Sequence, residues 1–234
     1  NNNLKLWSKL GQRASFGLGM LEIIKKKNNL MIVTADVSTS AGLDRFRKNF
    51  KENYIDVGIA EQNMLGVATG LASEKHDVVT TTFSPFQTLR CAEQIKVMLG
   101  YMKFKITMVG LASGLVLGPL GFTHCSIEDI SILRSIPNIS IISPCDPAEV
   151  IKSVQSSFNH DNSVYIRLTG SSNTKQIYEQ DYNFEIGKSI LLKEGNDVSI
   201  ISNGSIISEC LDAANQLEGS GISTEVINMH TIKP

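Results

Sequence analysis

Apolar positions along the chain follow two alternating patterns. From residue 10 to residue 27 they recur at helical spacing and end in Lys25–Lys27, where a helix dipole favours cations, so this stretch predicts an amphipathic helix. Residues 30–35 instead form a short, nearly unbroken apolar run, which is typical of a strand buried on both faces. The same patterns predict further strands at 78–83, 106–111, 139–143 and 164–168, and helices near 85–99, 127–134 and 147–158. This alternation predicts an α/β fold, a parallel twisted sheet with helices on both faces.

A change of pattern near residue 170 predicts a second domain. Residues 171–184 are polar and lack periodicity, which is typical of a linker. Residues 185–234 then carry short strand patterns and one helix pattern, and so predict the start of another α/β domain. A sheet of two or three strands with one helix is incomplete, so we expect the chain to end inside this domain. The predicted division is 1–170, 171–184 and 185–234.

The composition is typical of a folded protein and gives no sign of a charged partner such as nucleic acid or an anionic membrane. The 234 residues are 42% hydrophobic and 19% charged, which suffices for a sizeable core and argues against disorder. A net charge of −1 gives no electrostatic basis for binding nucleic acid or an anionic membrane. No apolar run approaches the roughly 18 residues that a membrane-spanning helix needs.

Cysteine usage and the first residues of the chain indicate its compartment and its completeness. Cys91, Cys125, Cys145 and Cys210 contain no C-x-x-C pair and are too few for a disulfide scaffold. We therefore expect four reduced thiols in a cytoplasmic protein. The N-terminus lacks the apolar core of a signal peptide and an initiator methionine, so we expect a trimmed or fragmentary product.

The most informative segment is residues 54–72, YIDVGIAEQNMLGVATGLA. A short strand ends at Gly58, and Glu61 then opens a helix rich in glycine and alanine. The carboxylate can be an ordinary first-turn charge, favoured by the helix dipole, or a buried ligand of a heterocycle, and the spacing alone leaves both open. The segment closely resembles the cofactor-glutamate segment of transketolase-family, thiamine-diphosphate-dependent enzymes.

This resemblance implies a fold and a role for Glu61. The fold would be the pyrimidine-binding domain of a thiamine enzyme. Glu61 would be catalytic and cofactor-binding, because a carboxylate hydrogen-bonded to a ring nitrogen of the aminopyrimidine drives the tautomerisation that activates the cofactor.

A second segment, Phe83-Ser-Pro-Phe86, follows a predicted strand, where ligands bind at the carboxyl edge of open parallel sheets. By themselves, two phenylalanines are more often core residues. The family resemblance implies instead that Phe86 stacks on the aminopyrimidine and that Phe83 lines the same pocket, because aromatic rings suit a flat heterocycle.

The third segment, residues 121–138, resembles the family's G-x-T-H-Q-x-x-E-D-x-x-x-x-R-x-x-P-N block. A lone histidine is more often structural, but the resemblance implies that His124 contacts the cofactor's amino group and a substrate oxygen. Glu128, Asp129 and Arg134 are expected to serve helix charge balance and subunit contacts.

Three further residues match the family's donor-phosphate site: Arg13, Ser40 and Arg167. Each arginine alone would more often form a surface salt bridge. Together they are expected to bind the phosphate of a substrate, because guanidinium forks pair with phosphate oxygens and a hydroxyl adds a donor. Asp36 lies at the same predicted strand end and is expected to line the cofactor cavity.

The chain departs from the family pattern in the loop before His124. Ala112 stands where the family has a histidine, and Leu120 stands where it has an aspartate that reads a donor hydroxyl. Phe122 and Cys125 replace a smaller residue and a glutamine. We therefore expect a more apolar pocket that disfavours polyhydroxylated sugars, because their hydroxyls would lose hydrogen bonds.

The G-D-G … N segment that holds Mg²⁺ and the diphosphate in thiamine enzymes has no counterpart in this sequence. The resemblance therefore implies a partner, an N-terminal, diphosphate-binding transketolase subunit that supplies the metal ligands for thiamine diphosphate and Mg²⁺. This chain would supply no metal ligand. A site between chains implies an obligate oligomer, here a heterotetramer formed through homodimerisation.

The function that the resemblance predicts is that of one subunit of a split transketolase. It would transfer a two-carbon ketol unit from a phosphorylated ketose to an aldehyde. The enzyme alternatives are a deoxyxylulose-phosphate-synthase-like protein and a 2-oxoacid dehydrogenase β-like subunit, and a non-catalytic assembly homologue is the alternative from another class. The joint presence of Glu61, Phe86 and His124 argues against the last of these.

Overall fold

The strands of the computed structural model form two sheets over the residues that it describes, which are 10–170, 175–178 and 180–234. The larger sheet has seven strands in the order β10-β5-β6-β4-β3-β1-β2, and the smaller has three in the order β7-β9-β8. The strands are β1 (Leu30–Thr34), β2 (Tyr54–Asp56), β3 (Asp77–Phe83), β4 (Thr107–Leu111), β5 (Ile139–Ile142), β6 (Ser163–Arg167), β7 (Ile190–Lys193), β8 (Val198–Ser202), β9 (Thr224–Asn228) and β10 (Thr231–Lys233).

The helices lie between these strands in the alternation that the sequence predicts. They are α1 (Gln12–Ile23), α2 (Asp44–Asn49), α3 (Glu61–Ser73), α4 (Ser84–Gln87), α5 (Ala92–Gln94), α6 (Asp129–Ser135), α7 (Pro147–Ser157) and α8 (Ile207–Glu218). Single 3₁₀ turns occupy Lys51–Asn53, Gly118–Leu120 and Gly204–Ile206. The predicted α/β fold with a mainly parallel, helix-covered sheet is confirmed.

Both faces of the large sheet are covered, which is why its strands are apolar along their whole length. Every residue of β1 is buried, and neighbouring residues of β4 point to opposite sides, with Val109 in one core cluster and Met108 in the other. Helices α1 and α7 pack over the first side, and α3 with the segment Ile95–Tyr101 packs over the second. Burial on two faces is the expected environment of parallel strands.

Helix α1 packs unusually close to the loop before α2. Gly17 lies against the backbone of Gly42, and a Cβ atom at Gly17 would overlap the Gly42 carbonyl oxygen. Because only glycine leaves this space, the contact brings the start of α1 and the loop after β1 together at the carboxyl edge of the sheet.

The prediction of one continuous helix over residues 85–99 is wrong. The chain forms one helical turn in α4, a turn through Thr88 and Cys91, a second helical turn in α5, and then a π-helix over Ile95–Tyr101. The amide of Arg90 donates to the carbonyl of Pro85 and not to that of Phe86, as it would in a continuous helix, and the thiol of Cys91 donates to Phe86 instead. The hydroxyl of Thr88 adds a bond to the Ser84 carbonyl, which the Thr88 amide also contacts. Such local bonds compete with helical hydrogen bonding.

The C-terminal part of the chain forms the small sheet and then returns to the large one. Strand β10 pairs antiparallel with β5, unlike the other pairs of the large sheet, and the amide of Ser143 donates to the carbonyl of His230 at 2.8 Å. The division into 1–170, 171–184 and 185–234 stays a prediction, and residues 171–174 and 179 of the predicted linker lie outside the described residues. No helix among the described residues has both the length and the apolar character that crossing a bilayer requires.

Candidate active site

The carboxyl ends of β1 and β2 meet at one edge of the large sheet, where Asp36 follows β1. Asp36 is exposed and has a left-handed backbone, with φ of 55°. The side chain of Asp56 accepts from the amides of Asp36 at 3.0 Å and of Gly58 at 2.9 Å. Asp56 thereby links the end of β1 to the turn that leads into α3, which places Asp36 beside the loop before Glu61.

Glu61 is the first residue of α3, and it is buried. Only 3% of the residue is exposed, whereas an ordinary first-turn charge lies in water. Its Oε2 atom accepts from Nη1 of Arg90 at 2.8 Å, in an ion pair whose arginine side chain is 43% exposed. A carboxylate buried this deeply needs such a partner, because desolvation of an unpaired charge is costly.

Three rings from two parts of the chain meet beside this carboxylate. Phe83 ends β3, Phe86 lies in α4, and His124 lies in the loop before α6. The ring centroids of Phe86 and His124 are 5.3 Å apart, those of Phe83 and His124 6.2 Å, and those of Phe83 and Phe86 6.4 Å, all in edge-to-face arrangements. We call these three residues the aromatic wall.

Arg90 joins Glu61 to the aromatic wall, and the sequence analysis missed it. Its guanidinium lies 4.1 Å from the centroid of the Phe86 ring while it pairs with Glu61. The i, i+4 spacing of Phe86 and Arg90, together with the need of a buried glutamate for a cation, is the signal that could have identified it. Next to it, burial raises the pKa of Cys91 to about 12, with the negative charge of Glu61 adding to the effect.

The loop that carries His124 is closed at its base and apolar at its tip. The amides of Gly114 and Ser126 each donate to the other's carbonyl at 2.8 Å. The imidazole Nδ1 of His124 lies 3.1 Å from the hydroxyl of Thr123. Beyond the base, the exposed large apolar side chains are Leu115, Val116, Leu120 and Phe122. The loop thus presents an apolar surface beside the aromatic wall.

Asp129, which was expected to serve helix charge balance and subunit contacts, lies in the first turn of α6. It is completely buried, and its Oδ2 atom accepts from Nε of Arg167 at 2.7 Å. Its burial and its pairing with Arg167 were not predicted from the sequence, because they depend on packing that brings the end of β6 onto the start of α6.

The predicted phosphate ligands fall into two places. Arg13 and Ser40 line a cavity of about 250 Å³ between α1 and the loop after β1, and Nη1 of Arg13 approaches the Ser40 carbonyl at 3.4 Å. Arg167 does not line this cavity, although Gly170, three residues further on, does. The structure therefore brings Arg13 and Ser40 together and holds Arg167 against Asp129.

The candidate site is thus contributed by the start of α1, by the end of β3, and by loops and helix starts that follow β1, β2, β3 and β4. Among the described residues, no group of three or more histidine, cysteine, aspartate or glutamate side chains is arranged to hold a metal ion. What the described part of the chain offers is a buried carboxylate, rings packed edge to face and an arginine-lined cavity, a set suited to an organic, anionic ligand.

Comparison with known proteins gives the family. Residues 8–175 match the model described as transketolase, pyrimidine binding domain, and residues 187–234 match the model described as transketolase, C-terminal domain. The first of these matches covers all the segments that build the candidate site.

The chain is similar to subunits of split transketolases. It is 37% identical to the 6-deoxy-6-sulfo-D-fructose transketolase subunit SqwH of Clostridium sp. (strain MSTE9), over 92% of this chain and 66% of the relative. It is 36% identical to a subunit of the apulose-4-phosphate transketolase of Actinobacillus succinogenes, over 92% of this chain and 68% of the relative. A solved structure described as "split gene transketolase, inactive beta4 tetramer" has a TM-score of 0.86 and 32% identity, over 95% of this chain and 72% of that one. The chain therefore belongs to the transketolase family, of which it carries the pyrimidine-binding domain and at least part of the C-terminal domain.

Proposed function

We propose that this chain is one subunit of a thiamine-diphosphate-dependent enzyme that transfers a two-carbon ketol unit from a phosphorylated ketose to an aldehyde. The observation that carries the proposal is the buried carboxylate of Glu61 beside the aromatic wall, at the carboxyl edge of a parallel sheet. That edge is where open α/β sheets bind their ligands. The membership of the transketolase family supports the same chemistry.

The residues at this edge fit the aminopyrimidine half of the cofactor. Phe86 offers a ring face for stacking, Phe83 closes the side of the pocket, and Glu61 offers carboxylate oxygens for a ring nitrogen. In the present arrangement the guanidinium of Arg90 covers one face of Phe86 and occupies Oε2 of Glu61. A heterocycle that stacks on that face has to displace Arg90.

When bound, thiamine diphosphate supplies a nucleophilic thiazolium carbon for cleavage of a ketose beside its carbonyl. Glu61 orients the pyrimidine ring by accepting a hydrogen bond in a site that excludes water. His124 moves protons at the substrate oxygens, and since Nδ1 is engaged by Thr123, Nε2 is the nitrogen that faces the substrate. Asp36 lines the outer part of the cofactor cavity.

A partner chain supplies the Mg²⁺ ligands and the diphosphate site in this proposal. The relatives whose names describe them as subunits support the existence of such a partner. A related chain that forms an inactive tetramer on its own supports the dependence of activity on that partner. Homodimerisation of this chain and a cytoplasmic heterotetramer complete the proposed assembly.

Arg13 and Ser40 bind the phosphate of the donor from one wall of the 250 Å³ cavity. Arg167, which is paired with Asp129 outside the lining of this cavity, is the third proposed phosphate ligand. The names of the two relatives describe one sugar with a phosphate and one with a sulfonate, and both groups are anionic. An arginine beside the cavity suits either anion, because its donors pair with two oxygens at once.

The first experiment measures cofactor binding by calorimetry. The chain is mixed with a diphosphate-binding transketolase subunit, Mg²⁺ and thiamine diphosphate, and Glu61→Ala is compared with the wild type. Glu209→Ala is the matched control, because Glu209 also lies in the first turn of a helix but is exposed. Binding that appears only in the mixture and is lost in Glu61→Ala supports the proposal, whereas no binding in any mixture refutes it.

The second experiment identifies the reaction. Release of a shortened aldose from a ketose phosphate indicates ketol transfer, whereas consumption of pyruvate with release of CO₂ indicates the deoxyxylulose-phosphate-synthase-like or the dehydrogenase-like alternative. Arg13→Ala is expected to raise KM for the phosphorylated donor about tenfold, the loss of one charge-assisted pair. Arg45→Ala, a change to an exposed arginine on α2 outside this cavity, is the control and should leave KM unchanged. Cofactor binding without any turnover indicates the assembly homologue.

A further inference from the structure

A buried polar cluster lies directly beneath the aromatic wall. We call it the Asp129 cluster, and its members are Ser84, Ser126, Asp129, Tyr165 and Arg167. Oδ2 of Asp129 accepts from Nε of Arg167 at 2.7 Å, from the hydroxyl of Tyr165 at 2.9 Å and from that of Ser84 at 3.1 Å. The Ser84 hydroxyl also lies 2.9 Å from that of Ser126. Four of the five residues are fully buried, and the fifth, Arg167, is 13% exposed at its side chain.

The electrostatics of the cluster depend on the charge of Asp129. Burial, and then the negative charge of Asp129, hold the pKa of Tyr165 well above its ordinary range, so this hydroxyl stays a donor. Arg167 also donates from Nη2 to the Ser126 carbonyl at 3.3 Å. A charge-assisted hydrogen bond is about twice as strong as a neutral one, so this one carboxylate oxygen of α6 holds both α4 and β6.

The backbone has space for this arrangement only because of one glycine. A Cβ atom at Gly110 on β4 would overlap the ring and hydroxyl of Tyr165. Glycine there lets the Tyr165 hydroxyl reach Ser84 at 2.6 Å and Asp129 on the far side. A side chain that packs so tightly against backbone transmits its position to its neighbours.

Each member of the aromatic wall is one or two residues from a member of the cluster. Ser84 lies between Phe83 and Phe86, and Ser126 lies two residues after His124. The Ser84–Ser126 contact is therefore a direct polar link between α4 and the histidine loop, and Asp129 fixes it from below.

We propose that Asp129 is a positioning residue, which holds the His124 loop against Phe83 and Phe86 and keeps Arg167 in place. In its catalytic consequence this inference rests on the proposed function, because the wall it positions is the proposed cofactor and substrate site. Asp129 touches neither ligand itself.

The first arm of the test measures the position of the loop without catalysis. Cys125 lies between His124 and Ser126 and is partly exposed, so its reaction with iodoacetamide, followed by peptide mass spectrometry on the full chain, reports loop opening. Asp129→Asn keeps the shape and removes the charge, and is expected to speed the labelling of Cys125 about tenfold. Cys210, which is also partly exposed but lies on α8, is the internal reference and should not change.

Two comparisons decide the first arm. Glu149→Gln is the matched control, because it removes the charge of another fully buried carboxylate away from the wall, and it should leave Cys125 labelling unchanged. An unchanged rate in Asp129→Asn overturns the proposal. If the labelling rates of Cys125 and Cys210 rise together, Asp129→Asn unfolds globally, and Tyr165→Phe, which removes one donor of the cluster, is tested in its place. Faster labelling of Cys125 alone in Tyr165→Phe supports the proposal, and an unchanged rate overturns it.

The second arm measures turnover in the complete enzyme. Asp129→Asn is expected to lower kcat about tenfold while the affinity for thiamine diphosphate changes less than about threefold, because the groups are present but misplaced. KM for the phosphorylated donor is expected to rise as well, because Asp129 also holds Arg167, a proposed phosphate ligand. Parallel loss of cofactor binding and kcat would indicate a purely structural role and overturn the catalytic part. If the wild-type enzyme has no ketol transfer, the proposed function fails, and the Cys125 labelling still decides whether Asp129 positions the loop.

Discussion

Glu149→Gln is expected to remove a pH-dependent cost of folding. Glu149 on α7 is fully buried where three segments of the chain meet. The amide of Cys145 donates to Oε2 at 2.7 Å, and the hydroxyl of Tyr178 and Nδ2 of Asn228 donate to Oε1 at 3.1 and 3.0 Å. These donors are neutral, so they offset only part of the desolvation of an ionised carboxylate.

The magnitude follows from the pKa of Glu149. Burial, the largest cause, raises the pKa from 4.5 to about 7. Between these values the unfolded chain has released the proton and the folded chain keeps it, so stability is complete below pH 4.5 and declines as pH rises through about 7. The difference of about 2.5 units corresponds to about 3 kcal/mol at 1.36 kcal/mol per unit.

Urea unfolding at pH 5 and pH 8 measures this effect. The free energy of unfolding of Glu149→Gln, relative to the wild type, should rise by about 2–3 kcal/mol from pH 5 to pH 8. Glutamine fits the site, since Oδ1 of Asn228 has no partner among the described residues and the NH₂ group of a rotated carboxamide can donate to it. Glu209→Gln, an exposed change on α8, should show no such rise. An equal wild-type-to-variant difference at both pH values would refute the reasoning.

Three further predictions concern stability. Burial lowers the pKa of His230 from 6.5 to about 4, so the unfolded chain takes up a proton before the folded chain does and the wild type loses stability as pH falls from 6.5 to 4. Over that range the free energy of unfolding of His230→Phe should fall by about 3 kcal/mol less than that of the wild type, as measured by unfolding at a series of acid pH values. Gly17→Ala should lower the free energy of unfolding by about 1–3 kcal/mol, because the new methyl group overlaps the Gly42 carbonyl; a higher melting temperature, as helix propensity alone would give, contradicts this. Arg90→Met should destabilise the chain by about 1 kcal/mol in urea unfolding, since its ion pair with Glu61 is half solvated, and an unchanged midpoint would contradict the role of the pair.

The fold was predictable because burial on two faces leaves a strong local signal. The unbroken apolar run that forms β1 and the helical spacing of apolar residues that forms α1 are both visible in the sequence alone. The break after α4 was not predictable in this way, because no apolar period records that the amide of Arg90 donates to Pro85 and that the thiol of Cys91 donates to Phe86.

The candidate site was predictable where a motif carried it. Motifs that resemble those of the family predicted Glu61, Phe83, Phe86 and His124. The structure brings the three rings to within 6.4 Å of one another. Their roles in binding and catalysis stay predictions. Arg90 was missed, because its i, i+4 spacing from Phe86 becomes a signal only when Glu61 is known to be buried and to need a cation.

Local sequence thus determined which segments are strands and helices and which residue types stand at the ends of the strands, because burial and backbone preference act over a few neighbouring residues. Only the tertiary structure decided which charges pair. Asp129 and Glu61 both open helices, yet one is held by Arg167, 38 residues away, and the other by Arg90, 29 residues away. The cost of burying a charge depends on what is packed around it, and that is a property of the folded chain.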